Sequence, residues 1–189
     1  MKTNTLIFII SIVAAAFGLI LISEQYKKAE IATAEKERKE KNILQVIIDS
    51  TKNKHPVFNE SIKGKVIVVN VWTSWLPACR KQIPELNKLV KDFSSDKIVF
   101  IAIDPADSAR EVTTLQKENI KFEYKLLFGE KDLSHIFYSE GRDVQIGEVP
   151  LPMNVVINSE GRVEMFYSGD HPEQLQNIRN YLSQVSGRR

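Results

Sequence analysis

Gly64-Lys-Val-Ile-Val-Val-Asn-Val-Trp-Thr-Ser-Trp-Leu-Pro-Ala-Cys-Arg-Lys-Gln-Ile-Pro-Glu-Leu86 is the stretch on which the fold turns. Its first half, Lys65–Trp72, is a β-branched run of the kind buried on both faces of a parallel sheet. From Pro77 the pattern becomes helical, with Ile83, Leu86, Leu89, Val90 and Phe93 on one face. Downstream, Ile98–Ile103 reads as a second buried strand that ends at Asp104-Pro105, and a helix is expected around Ser108–Glu118. Tyr124–Phe128 reads as a strand. Met153–Ile157 and Val163–Tyr167 read as two more, joined by the turn signal Asn158-Ser-Glu-Gly161. A helix over Pro172–Val185, carrying Leu175, Ile178 and Leu182, closes the chain. Upstream, Ile43–Ile48 and Pro56–Phe58 flank the polar Thr51–Lys54 and read as an N-terminal β-hairpin. Strands alternating with helices predict one α/β domain over residues 43–189, a central mixed sheet flanked by helices.

Composition narrows the function classes. The 189 residues are 43% hydrophobic and 26% charged, an ordinary globular mixture that excludes wholesale disorder and a polytopic membrane protein. A net charge of +2 is too balanced to indicate a nucleic-acid binder. Cys79 is the single cysteine, which excludes an intramolecular disulfide, a cysteine-cluster metal site and a dithiol cycle within one chain.

The amino-terminal segment is a membrane device. Leu6–Ile22 carries no charge, and as a helix it would rise roughly 26 Å against a hydrocarbon core of about 30 Å. Two readings compete: a signal peptide cut after Ala14-Ala-Ala16, and an uncleaved anchor. The apolar run continues through Phe17-Gly-Leu-Ile-Leu-Ile22, beyond the cleavage candidate, and that favours the anchor over residues 1–23. Lys2 precedes the span while Lys27 and Lys28 follow it, so loop charge does not fix its orientation. Residues 24–42 are rich in both charges, with Glu24–Lys28, Glu35–Lys39 and Glu37–Lys41 at the favourable i, i+4 spacing. They read as a helical stalk or linker.

The quoted stretch resembles the active-site segment of the TlpA/ResA-like thiol–disulfide oxidoreductases of the thioredoxin superfamily. There the pattern is roughly G-K-x-x-x-x-N-x-W-x-x-W-C-x-x-C-x-x-x-x-P-x-L. Pro152-Met-Asn-Val-Val-Ile-Asn-Ser-Glu-Gly161 resembles the same family's P-T-x-x-x-I-D-x-x-G strand and turn. The resemblance implies a thioredoxin-like fold. It also implies a single-pass tether in the bacterial inner membrane, a domain facing the periplasm or cell exterior, and work in cytochrome maturation or disulfide reduction. Further, it implies a thiolate at the start of the helix, with a pKa lowered from about 8.5 toward 3.5–7.5 by free helix N–H groups, and a resolving cysteine three residues on. At the attacking position this chain has Leu76; only Cys79, at the resolving position, remains.

Three readings of Cys79 stay open. It is an inert thiol packed one turn into the helix, a monothiol that forms mixed disulfides with a partner, or the cysteine of a one-cysteine thiol peroxidase, for which Leu76 removes the expected threonine hydroxyl. Pro152 matches the proline that is cis in the family, and register favours it over Pro150 because it lies six residues before Asn158. Beside it, Trp75, Leu76, Pro77 and Leu151 would form an apolar groove for an extended polypeptide or partner protein. Asn70 stands where thioredoxins proper carry a buried acid. Trp72 reads as core, and His55, His135 and His171 as separate surface or loop residues. Asp104 and Asp107 read as a capped turn. No cofactor or metal site is indicated.

Overall fold

The computed structural model describes residues 16–33, 36, 41–53, 55–105, 113, 115, 117–140 and 150–187. The chain divides into two compact units, Met1–Glu40 and Lys41–Arg189. In the first, residues 16–33 are helical, and Phe17, Leu19, Ile20, Leu21 and Ile22 stand exposed on that helix. Among the described residues no helix is long and apolar enough to cross a membrane. Residues 6–15 of the expected span lie outside them.

The second unit is built on one five-stranded sheet: β1 (Val66–Val71), β2 (Ile98–Asp104), β3 (Lys125–Phe128), β4 (Met153–Ile157) and β5 (Val163–Ser168), in the order β3-β2-β1-β4-β5. β1 pairs in parallel with β2 and antiparallel with β4, so the mixed sheet expected from the sequence is present. All six residues of β1 are buried, as its unbroken β-branched run requires of a central strand. The two-residue period of the strands sorts side chains onto two faces. Ile67, Val69, Val71, Ile101, Ile103, Val155 and Ile157 pack against helix α1 (Ile43–Ser50) and against Leu133 and Phe137 of a helix from Lys131 to Glu140. Val66, Val68, Phe100 and Val156 pack against α2 (Pro77–Phe93) and the C-terminal helix, Gln174–Ser186. We number the Lys131–Glu140 helix α3 and the C-terminal helix α4.

One expectation is corrected. The N-terminal β-hairpin is absent: Ile43–Ser50 is helix α1, and a short 3-10 turn at Glu60–Ile62 follows where the second arm was expected to lead. The run Ile43-Leu-Gln-Val-Ile-Ile48 is apolar enough for either period. The choice falls to Asn42, whose Oδ1 accepts from the Gln45 N–H at 2.8 Å and caps a helix. Ile43, Leu44, Ile47 and Ile48 then share one buried face while Val46 and Asp49 face out. Helix α3 was not anticipated, although Leu133, Ile136 and Phe137 carry a helical i, i+3, i+4 spacing. Of the helix expected at 108–118, residues 113, 115 and 117 are described and helical; most of the rest, with Asp107, lies outside the described residues.

Candidate functional site

The site forms where β1 ends. Val71 pairs with Met153 across the antiparallel ladder, so the segment before β4 arrives beside the loop that leaves β1. Helix α2 begins at Pro77, whose fixed φ and missing N–H suit the first helical position. Its N-cap is Leu76, in extended conformation and with no side-chain hydrogen bond. A leucine cannot satisfy the free N–H groups of the first turn as Ser, Thr, Asp or Asn would.

Leu76 and Leu151 both pack on a small cluster of Trp72, Cys79, Ile83, Ala102 and Leu115. Trp75 projects from the loop at 66% exposure, Pro77 is also exposed, and Pro152 is buried. The Leu151–Pro152 peptide is cis, at the proline that register selected. Its neighbourhood is fixed by main-chain bonds: Gly169 N–H lies 2.9 Å from the carbonyl oxygens of both Pro150 and Pro152, and Ser168 Oγ donates to Pro150 O at 2.9 Å.

Cys79 is 1% exposed. Burial pushes its thiol up from 9.0 to about 11. A hydrogen bond from the Thr73 backbone works in the opposite direction and the Asp104 carboxylate reinforces the rise. Desolvation outweighs any help from the helix start, and the sulfur is a neutral thiol at pH 7.

Several contacts of this region escaped the sequence reading. Asn70 Nδ2 donates to Asn154 Oδ1 at 2.9 Å, and Asn154 Nδ2 donates to Gln82 Oε1 at 3.0 Å and to Gln174 Oε1 at 2.8 Å. Gln174 Nε2 in turn donates to Gly169 O at 3.2 Å. All four amides are buried, so β1, β4, α2 and α4 are tied together beneath the Pro152 segment. The signal was a lone amide in each of two otherwise apolar strands. Arg80 Nη1 donates to Ser74 O at 2.9 Å and lies 3.5 Å from Glu118 Oε2. Tyr138, on α3, has its hydroxyl pushed above the usual range by burial first and then by the nearby Cys79 and Asp104.

The histidines stay apart in role. His55 receives the Val57 and Phe58 N–H groups on Nδ1 and pairs through Nε2 with Glu130 at 3.1 Å, whereas His135 and His171 are exposed. Asp104 is buried at the end of β2. Among the described residues no group of three His, Cys, Asp or Glu could hold a metal ion. A cavity of about 460 Å³ opens at the other end of the sheet, around Val66, Phe93, Lys97 and Tyr181, away from Cys79.

The chain is similar to the thiol-disulfide oxidoreductase ResA of Bacillus cereus (strain ATCC 10987 / NRS 248), 25% identical over 191 residues that cover 98% of this chain and 99% of the relative. It is also similar to ResA of Bacillus subtilis (strain 168), 25% identical over 140 residues, 74% of this chain and 71% of that one. Among solved structures, a thiol:disulfide interchange protein of the thioredoxin family from Chlorobium tepidum TLS superposes with a TM-score of 0.51 at 23% identity, covering 65% of this chain and 81% of its own. The DsbE thiol:disulfide interchange protein from Chlorobium tepidum gives 0.52 at 16% identity, over 66% and 81%. These likenesses show the thioredoxin-like fold. The AhpC/TSA family pattern matches residues 29–166. That match takes in both the Trp75–Cys79 turn and the Leu151–Pro152 peptide, and the chain belongs to the AhpC/TSA family.

Proposed function

We propose that this protein is a membrane-tethered thioredoxin-like binding module, which takes an extended polypeptide segment along Trp75, Leu76, Pro77 and Leu151 beside Pro152 and turns over no dithiol of its own. One observation carries the reading. Leu76 occupies the N-cap of α2, where the resembling oxidoreductases place the attacking sulfur, and the remaining Cys79 is buried and protonated. A thiol–disulfide cycle within one chain needs two sulfurs and at least one accessible thiolate; the chain has one cysteine, and it is neither accessible nor ionised at neutral pH. The surface that would receive a substrate remains apolar and open, with an exposed indole at its edge. The tether is supported by the uncharged run Leu6–Ile22 and by the exposed apolar side chains on its described part. A domain outside the cytoplasm, in protein or redox maturation, follows from the resemblance to ResA.

Alkylation of Cys79 in the folded full chain, followed from pH 4 to 11 against the denatured chain, tests the chemistry. The folded rate is expected at least ~100-fold below the denatured one at pH 8, since both accessibility and thiolate fraction are reduced. A fast reaction that titrates below about 8.5 would overturn the reading in favour of a monothiol oxidoreductase or one-cysteine peroxidase. Binding is tested with a panel of ten-residue extended peptides, read by the emission of Trp75. If no peptide alters it, the groove is not a polypeptide site.

A further inference from the structure

The end of the sheet opposite Cys79 holds the cavity of about 460 Å³, which the groove beside Pro152 does not use. Its size falls within the range of small-molecule sites, roughly 300–1,000 Å³. Much of its wall is apolar. Val66, Phe93 and Ile98, all buried, line it from the sheet and from the end of α2, and Tyr181 and Val185 line it from α4.

The polar part of the wall has capacity that the fold leaves unspent. Charged side chains near the lining residues are engaged: Lys63 Nζ lies 2.8 Å from Glu60 Oε2, Arg179 Nη1 lies 2.7 Å from Asp92 Oδ2, and Arg162 pairs with Glu160. Asp96 and Lys97, which stand on the lining itself, make no ion pair among the described residues. The Ser159 and Tyr181 hydroxyls have no hydrogen-bond partner there either. Ser95 Oγ accepts from the Lys97 and Ile98 N–H groups at 3.3 and 3.2 Å, which leaves its own proton to donate. The cavity also has an electrical sense. Helix α2 ends at Phe93 and α4 at Ser186, both on the lining. A helix C-terminus carries partial negative charge and favours a cation. With the Asp96 carboxylate, the two helix ends suit an ammonium, whereas Lys97 suits a carboxylate. A ligand of one sign would leave the opposite protein charge unmatched, so the complementary molecule carries both.

We propose that this cavity is a small-molecule site for a zwitterion with an apolar body, of which a free α-amino acid with an aromatic side chain is the simplest case. Its ammonium goes to Asp96 and the helix ends, its carboxylate to Lys97, and its side chain to Phe93, Tyr181 and Val185. The site stands independently of the Trp75 groove, and neither needs the other to be occupied.

The test uses the full chain in detergent micelles and equilibrium dialysis of radiolabelled L-phenylalanine, with protein-free micelles as the blank. Saturable binding is expected. Two half-probes should each bind at least about tenfold more weakly: 2-phenylethylamine, which lacks the carboxylate, and 3-phenylpropionate, which lacks the ammonium. Lys97→Gln is expected to weaken L-phenylalanine about fivefold and to leave 2-phenylethylamine unchanged. Asp96→Asn is expected to weaken it by a similar factor and to leave 3-phenylpropionate unchanged. Both residues are exposed, so these variants keep the fold. Val185→Trp fills the cavity from a position that is 46% exposed, and it should abolish binding. Trp75→Ala should bind as wild type does. Absence of saturable L-phenylalanine binding up to about 10 mM would overturn the proposal, as would equal affinity for either half-probe. Binding that survives Val185→Trp, or that is lost in Trp75→Ala, would place the molecule outside the cavity and overturn it too.

Discussion

At Leu76 and Cys79 the same helix start is filled in two ways that both avoid charge. Leucine offers the first-turn N–H groups nothing, and the thiol below it is held neutral by desolvation. The linkage has a definite sign. A thiol whose folded pKa of about 11 lies above its unfolded value of 9.0 holds its proton in the native state after the unfolded chain has lost it. Stability is therefore fully present below pH 9 and is lost as pH rises toward 11, at a slope approaching about 1.4 kcal/mol per pH unit and about 2–3 kcal/mol in all. Urea melts between pH 8 and 10, before the tyrosines titrate, should show the onset of this loss in wild type and not in Cys79→Ala. The converse substitution is informative too. Leu76→Cys places a sulfur at an N-cap whose neighbouring N–H groups have no side-chain partner, and alkylation should find it titrating below about 8.5. At this scale the sequence was legible in one respect, since Leu76 and the single Cys79 can be read directly from it. What it could not reveal was the burial of Cys79, since the residues that cover it, Trp72, Ala102 and Leu115, come from three separate stretches.

The elements show where pattern reading succeeds and where it stops. β1, β2 and β4 were legible from their β-branched runs, and β5 from the turn signal Asn158-Ser-Glu-Gly161 that precedes it. Helix α1 was not, because five apolar residues in six fit both a strand and a helix, and the deciding group was one cap residue. Asn42→Ala should therefore cost about 1 kcal/mol in chemical denaturation, with loss of the helical signal of α1 in hydrogen exchange. The same asparagine donates to Glu160 O at 2.8 Å, and a Cβ at Gly161, where φ is +81°, would meet it at 2.4 Å. The turn after β4 and the start of α1 are thus one joint. The amide cluster joins elements more tightly. Asn154→Ala strips three hydrogen bonds and leaves buried Gln82, Gln174 and Asn70 groups facing apolar neighbours, so a loss of about 3 kcal/mol is expected in urea melts.

At the scale of the whole molecule, a helical segment with exposed apolar side chains precedes a domain that has a core of its own. Exposed Phe17, Leu19, Ile20, Leu21 and Ile22 sit on one continuous helix, residues 16–33. Alkaline carbonate extraction is expected to leave the full chain in the membrane pellet and to release a chain lacking residues 1–23; recovery of the full chain in the supernatant would refute the anchor. The α/β character of residues 41–189 could be read from the pattern of strands and helices, because periodicity depends on local chemistry alone. Convergence of Leu76, Cys79, Leu151 and the amides could not, since it depends on how the sheet brings distant segments side by side.

The four amides have a consequence for how the domain responds to pH. Asn70, Gln82, Asn154 and Gln174 take up and release no proton in either acid or alkali of ordinary strength. A carboxylate or an imidazole in their place would make the floor beneath the Pro152 segment shift charge whenever the surroundings acidify. Built from amides, that floor keeps one set of donors and acceptors in acid and in alkali alike, and the cis Leu151–Pro152 peptide above it rests on the same hydrogen bonds in both.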